Sequence, residues 1–262
     1  MTDERGLPAE TARHYASGYE GTRLFASAHG ELERVRTQEI IARYLPPAPA
    51  QILDVGGAVG AYSLWLLDRG YEVRLIDALP LHAELAARSF EQHSNSQLGS
   101  ARVGDARSLE EPDRSADVVL MMGPLYHLTE RADRLQALRE AYRVLRPGGF
   151  LFAACISRFA SLLDGLARNL VDDPAFCDIL KVDLESGQHR NPQEHPTTSR
   201  PPSFTGRRRR SKKSPRRVFR SNRSLGSKGR RGCCQTSPNV WPIQRGEVSS
   251  WTYCGRPRKS RR

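Results

Sequence analysis

The 262-residue chain predicts an α/β fold: a doubly wound, mostly parallel sheet over residues 1–195, lacking its last strands and followed by a disordered basic tail over 196–262. Three observations predict it. Apolar strand-like runs alternate with amphipathic helical stretches from residue 51 to 155. The first of those runs meets a glycine-rich turn, Gly56-Gly57-Ala58-Val59-Gly60. Charge divides the chain in two: residues 1–195 hold 21 Lys and Arg against 28 Asp and Glu, and residues 196–262 hold 20 against the single acid Glu247.

The region 9–46 reads as two helices that form a lid. Glu31 to Tyr44 places Leu32, Val35, Ile40, Ile41 and Leu45 roughly on one side, and Pro46-Pro47 ends it. Gln51 to Val55 is a short apolar run, hence a buried parallel strand. Ala61 to Arg69 is the next helix, closed by Gly70. Tyr71 to Asp77 is the second strand, Leu81 to Phe90 its helix, Ala101 to Val103 a weak third strand and Ala116 to Met121 a strong fourth. Arg131 to Leu145 puts Leu135, Leu138, Tyr142 and Leu145 on one stripe. After the turn Arg146-Pro147-Gly148-Gly149, Phe150 to Cys155 is a fifth strand, and Ser157 to Glu185 is helical again.

Past Pro196 the periodicity stops, and an Arg-, Ser- and Pro-rich stretch cannot bury enough apolar surface to offset chain entropy. No run of about 18 apolar residues exists to cross a membrane. The polar, mixed-charge start is no signal peptide. Five cysteines, with Cys233-Cys234 adjacent, form neither a zinc motif nor a disulfide framework, so no metal is expected and the cytoplasm is the expected compartment.

The first strand ends Leu53-Asp54-Val55-Gly56-Gly57-Ala58-Val59-Gly60, a turn that brings backbone N–H groups close to a ligand at the start of a helix. A nicotinamide cofactor wants G-x-G-x-x-G, and Ala58 and Ala61 stand at its second and third glycines. Asp77, ending the second strand, suits the ribose of either kind of cofactor. Gly104-Asp105-Ala106 follows the third strand, Asp117 enters the fourth as a strand cap, and Gly123-Pro124-Leu125-Tyr126-His127-Leu128 follows it.

In order and spacing this constellation resembles the class I S-adenosylmethionine-dependent methyltransferases, especially the bacterial small-molecule group with a G-P-L-Y-H-L segment, from about residue 12 to 195. The resemblance implies a Rossmann-like fold and S-adenosyl-L-methionine as cofactor. It implies that Gly56, Gly57, Ala58 and Gly60 line the methionine end, with Asp54 in or bracing that loop. Asp77 would hold the ribose hydroxyls, Asp105 the adenine amino group with Ala106 alongside, and Met122 and Gly123 would border the sulfonium. Ala58 stands where the family's commonest form has glycine.

His127 is the candidate catalytic base for an acceptor that must lose a proton, the alternative being a hydrogen bond to its own loop. Tyr15 and Tyr19 in the lid are candidates to reach the cofactor carboxylate or the acceptor. The expected partner is a small-molecule methyl acceptor, with no membrane and no specific nucleic acid. A binding protein that uses the basic tail on nucleic acid is the second reading.

The family finishes with a helix and a β-hairpin, which the tail does not resemble. A one-base shift accounts for the difference. Pro196 to Gly206 can be encoded so that one restored G after the first codon reads P-D-Y-F-T-T-A-F-F-H-R, as the family continues. Under the same shift Ser224 to Thr236 permits V-L-G-V-E-G-P-A-W-L-L-P-D, and Ser250 to Arg262 permits L-L-D-V-L-R-A-A-E-E-E-P-S. The tail therefore reads as an out-of-frame product, against a genuine basic extension.

Overall fold

The computed structural model describes residues 23–186, 239–245 and 251–253. Two units are defined by their internal contacts, one from 1–157 with 237–262, the other 158–236. In the first unit the chain runs α1 (Ala28–Ala42), β1 (Gln51–Val55), α2 (Ala61–Leu67), β2 (Glu72–Asp77), α3 (Pro80–Glu91), β3 (Gly99–Val103), β4 (Ala116–Met121), α4 (Pro124–His127), α5 (Arg131–Val144), β5 (Leu145–Cys155), and then β6 (Asn239–Arg245) and β7 (Trp251–Tyr253).

The sheet order is β3-β2-β1-β4-β5-β6-β7, with β1 to β5 parallel and the last two strands antiparallel to their neighbours. This is the Rossmann-like, mostly parallel sheet that the sequence predicts. Successive side chains of a strand face opposite layers. Ile52, Val118 and Leu120 join one core with Leu66, Leu67 and Phe90, while Leu53, Val55, Val119 and Met121 join the other with Ala137, Ala141 and Val144. Both faces are covered, which is why β1 and β4 read as continuous apolar runs rather than alternating ones.

Four elements differ from expectation. α1 begins at Ala28, where Ser27 Oγ accepts from Gly30 N at 3.0 Å. Its buried side carries Gly30, Glu33, Thr37 and Ile41, while Leu32 and Val35 are 45% and 44% exposed. The cause is an ion pair: Arg23 Nη1 and Nη2 each reach Glu33 at 2.8 Å, which turns that polar side inward. β3 starts two residues early, at Gly99. In α5 the most buried positions are Ala137, Ala141 and Val144, because small side chains allow the helix to lie close to the sheet. The turn before β5 lies within the strand: Leu145 already pairs with Ala116, and the register then shifts.

The larger correction concerns the end of the sheet. The expectation that it lacks its last strands is overturned by β6, which pairs along β5 from Phe150↔Gln244 to Cys155↔Asn239. An edge strand presents unpaired N–H and C=O groups to any segment able to extend, and Val240, Trp241 and Ile243 favour strand. Ile243 packs on the second core. Arg245 is buried, donates from Nη1 to Leu145 O, and lies 4.2 Å over the Tyr142 ring. The rest of the expected disordered tail, and the lid helix before residue 23, lie outside the described residues.

The described part of the second unit is a helix pair, α6 (Ala160–Arg168) and α7 (Pro174–Ser186). A Cβ at Gly165 would lie 2.4 Å from the Phe176 ring, so glycine there is what admits Phe176. Asp173 Oδ1 accepts from Ala175 N at 2.9 Å at the start of α7, and Ser161 donates to Asp183.

Candidate cofactor-binding site

The site forms where the parallel strands β1, β2 and β4 end, at the point where the strand order reverses. The β1–α2 turn takes left-handed backbone at Gly56 (φ 69°), Ala58 (φ 51°) and Gly60 (φ 86°). Gly56 N donates to Ile76 O at 2.7 Å, and Gly60 N to Gly57 O at 2.9 Å. The turn has no room for side chains on its glycines. A Cβ at Gly56 would lie 2.7 Å from the Pro124 ring, and one at Gly57 would lie 2.6 Å from Asp54 Oδ2. Pro124 of the G-P-L-Y-H-L segment thus lies directly over the turn. Ala58 adopts a conformation that disfavours any Cβ, which is the reason glycine is the better residue there.

Asp77 is 7% exposed and ties the loops together. Its Oδ2 accepts from Ala58 N at 2.9 Å, and its Oδ1 accepts from Leu79 N at 2.9 Å. His82 Nδ1 lies 3.3 Å from the same Oδ1. Gly104 N donates to Asp77 O at 3.0 Å, which brings the β3–β4 loop to the same place.

Asp54 is buried on β1, where Ser63 Oγ donates to its Oδ2 at 2.7 Å and Oδ1 has no hydrogen-bond partner. Burial pushes its carboxyl up to about 6, opposed by the Ser63 hydrogen bond and reinforced by the charge of Asp77. Asp105 is held by Arg107: the backbone N reaches Oδ1 at 2.8 Å and Nη2 reaches Oδ2 at 2.6 Å. Burial opposes the Asp105 charge, but the hydrogen bonds and charge of Arg107 outweigh it and hold the carboxyl below its ordinary range. Arg107 Nη1 also reaches Asp133 at 3.0 Å, and Ala106 packs on the second core.

Gly123 faces the first turn closely: a Cβ there would lie 3.3 Å from Gly56 O. The same Cβ would lie 3.9 Å from Tyr126 Oη and 4.0 Å from His127 Cδ2, so both rings border this glycine. The two rings are 4.6 Å apart, centroid to centroid. Met122 packs on the first core, one residue past β4.

The structure therefore gathers Asp54, Gly56, Gly57, Ala58, Gly60, Asp77 and Gly123 about the first turn, with Asp105 and Ala106 on the loop that joins Asp77. Asp117 sits at the opposite end of the strands, where it accepts from Gln51 N at 2.8 Å and from Arg146 at 2.7 Å, a structural cap as expected. Tyr15 and Tyr19 lie outside the described residues. Two residues escaped sequence reading. His82 stands five residues after Asp77 and Arg107 two after Asp105; a polar residue that soon follows a strand-end carboxylate was the signal available. Among the described residues no group of three His, Cys, Asp or Glu side chains is placed to hold a metal.

Residues 53–153, the segment that carries this site, match the family described as Methyltransferase domain. An uncharacterized methyltransferase of Mycobacterium bovis is 33% identical over 130 residues, which are 48% of this chain and 49% of that protein. A ubiquinone/menaquinone biosynthesis C-methyltransferase of Dinoroseobacter shibae is 33% identical over 153 residues, 57% of this chain and 58% of that protein. The chain thus spans about half the length of the curated relatives it matches. Among solved structures, a SAM-dependent methyltransferase of Methanosarcina mazei is 28% identical with a TM-score of 0.47, over 59% of this chain and 72% of that one.

Proposed function

We propose that this chain transfers a methyl group from S-adenosylmethionine to a small-molecule acceptor in the cytoplasm. The observation that carries the reading is the pair of buried carboxylates around the left-handed turn, Asp77 tied to Ala58 N and Asp54 with an unpartnered oxygen. The residues present fit the cofactor. The close approach of Gly56 and Gly123 leaves backbone, not side chain, beside the turn, and Asp54 Oδ1 offers a buried acceptor to an ammonium group.

When bound, the cofactor supplies a methyl group activated on a sulfonium. The chain's own groups bind and orient. Asp77 would hold ribose, Asp54 with the Gly56–Gly60 backbone would receive the methionine end, Asp105, already held by Arg107, would accept from the adenine amino group, and Met122 and Gly123 would border the sulfonium. His127 accepts the proton of an acceptor hydroxyl or amine as the new bond forms. Among the described residues no helix is long and apolar enough to cross a membrane.

A methyl-transfer screen across small phenols, amines and carboxylates with the full chain tests the reading. In the first acceptor found, His127→Ala lowers turnover by about a hundredfold and leaves cofactor affinity unchanged. An unchanged rate makes His127 structural.

We also propose that residues 196–262 are read one base out of frame. The altered composition after Pro196 and the family-like sequences under a single shift support this. Resequencing the gene around the codons for His195 to Thr197 tests it: a base missing relative to close relatives is the expected result, and an intact frame there overturns it.

A further inference from the structure

We propose that His82 is a positioning residue for the ribose of the cofactor, acting through Asp77 so that Oδ2 is the oxygen presented to a hydroxyl. This rests on the S-adenosylmethionine reading above. His82 lies in the first turn of α3, with Pro80 ahead of it as the first helical residue, and its Nδ1 is 3.3 Å from Asp77 Oδ1. The imidazole is 4% exposed, so it is placed to act on Asp77 rather than on a substrate. An ionised carboxylate only accepts, so Nδ1 carries the hydrogen of this contact.

A carboxylate offers about four lone-pair sites. Leu79 N and His82 Nδ1 occupy the two on Oδ1, and Ala58 N occupies one on Oδ2. One acceptor site is left, on Oδ2, beside the Ala58 turn. That site offers a ribose hydroxyl a charge-assisted bond. Leu79 N and Ala58 N belong to the two loops that Asp77 joins. His82 is the side chain that closes Oδ1 and stops the carboxylate from rotating about its Cβ–Cγ bond. With that contact gone, the orientation of Oδ2 is set by backbone donors alone, and binding must fix it again at an entropic cost.

Two substitutions separate this role from simple packing. His82→Asn places an amide nitrogen near the position of Nδ1, whereas His82→Gln carries it out toward Nε2, beyond Asp77. Both fill the site with a polar side chain. Titration calorimetry on the full chain uses two probes, S-adenosylhomocysteine and its 2′,3′-dideoxy counterpart. We expect His82→Gln to weaken the first by about tenfold and leave the second unchanged, while His82→Asn stays within about threefold of the parent. Equal affinity of His82→Gln and the parent for S-adenosylhomocysteine overturns the proposal. So does an equal loss with both probes, which makes His82 a packing residue. Failure of the parent chain to bind S-adenosylhomocysteine is a separate result, and it removes the cofactor reading itself.

Discussion

Asp77→Ala weakens S-adenosylmethionine binding by roughly a hundredfold, the largest loss expected from any single side chain at the site. A hydrogen bond to a charged group contributes about 1.5–3 kcal/mol, and a buried one leaves its partner unsatisfied when it is removed. The substitution also strands two backbone donors, Ala58 N and Leu79 N, which Asp77 holds at 2.9 Å each. The β1–α2 turn and the loop after β2 then lose their common anchor. Asp77→Asn keeps the shape of the side chain and one acceptor oxygen, so its loss is about tenfold. Titration calorimetry with the full chain measures both, and the whole chain is needed because β6 covers the edge of β5. An Asp77→Ala affinity within about threefold of the parent sinks the assignment, as does a preference for a nicotinamide dinucleotide over the sulfonium ligand.

What could be read in advance, and what could not, follows from how far each interaction reaches along the chain. The strand-end positions were legible because an apolar run followed by glycine or aspartate is a local pattern. Asp77 and Gly56 each sit where such a run stops. The capping role of Asp117 was legible from its place at the start of such a run. The inward side of α1 was not, since Leu32 and Val35 look like core on a helical wheel. Only the Arg23–Glu33 pair, set by a turn ahead of the helix, shows that the polar side faces in. His82 and Arg107 were missed because their partners depend on loop conformation. The hairpin of β6 and β7 was missed because pairing on an open edge needs little more than a few strand-forming residues, and Val240, Trp241 and Ile243 stand in a segment whose composition argues for disorder.

Asp54 makes the folded chain less stable as pH rises through 6, the reverse of most carboxylates. Its carboxyl is fully buried and raised to about 6 from an ordinary 3.8, first by burial and then by the nearby charge of Asp77 against the Ser63 hydrogen bond. Between those two values the folded chain keeps a proton that the unfolded chain has released. Stability from this group is fully present below about pH 4 and is lost as pH climbs through 6, by about 3 kcal/mol in all. Asp54→Asn, which keeps the volume and carries no charge, removes that dependence. Urea unfolding of both chains at pH 5 and pH 7.5 isolates it, because other titrating groups cancel in the difference. A cation beside the unpartnered Oδ1 works in the opposite direction, favouring the ionised form. Cofactor affinity should therefore rise from pH 5 to 7 in the parent chain and stay flat in Asp54→Asn, with proton release seen as a buffer-dependent heat of binding. Identical pH profiles for the two chains, in stability and in binding, rule out Asp54 as the receiver of the ammonium group.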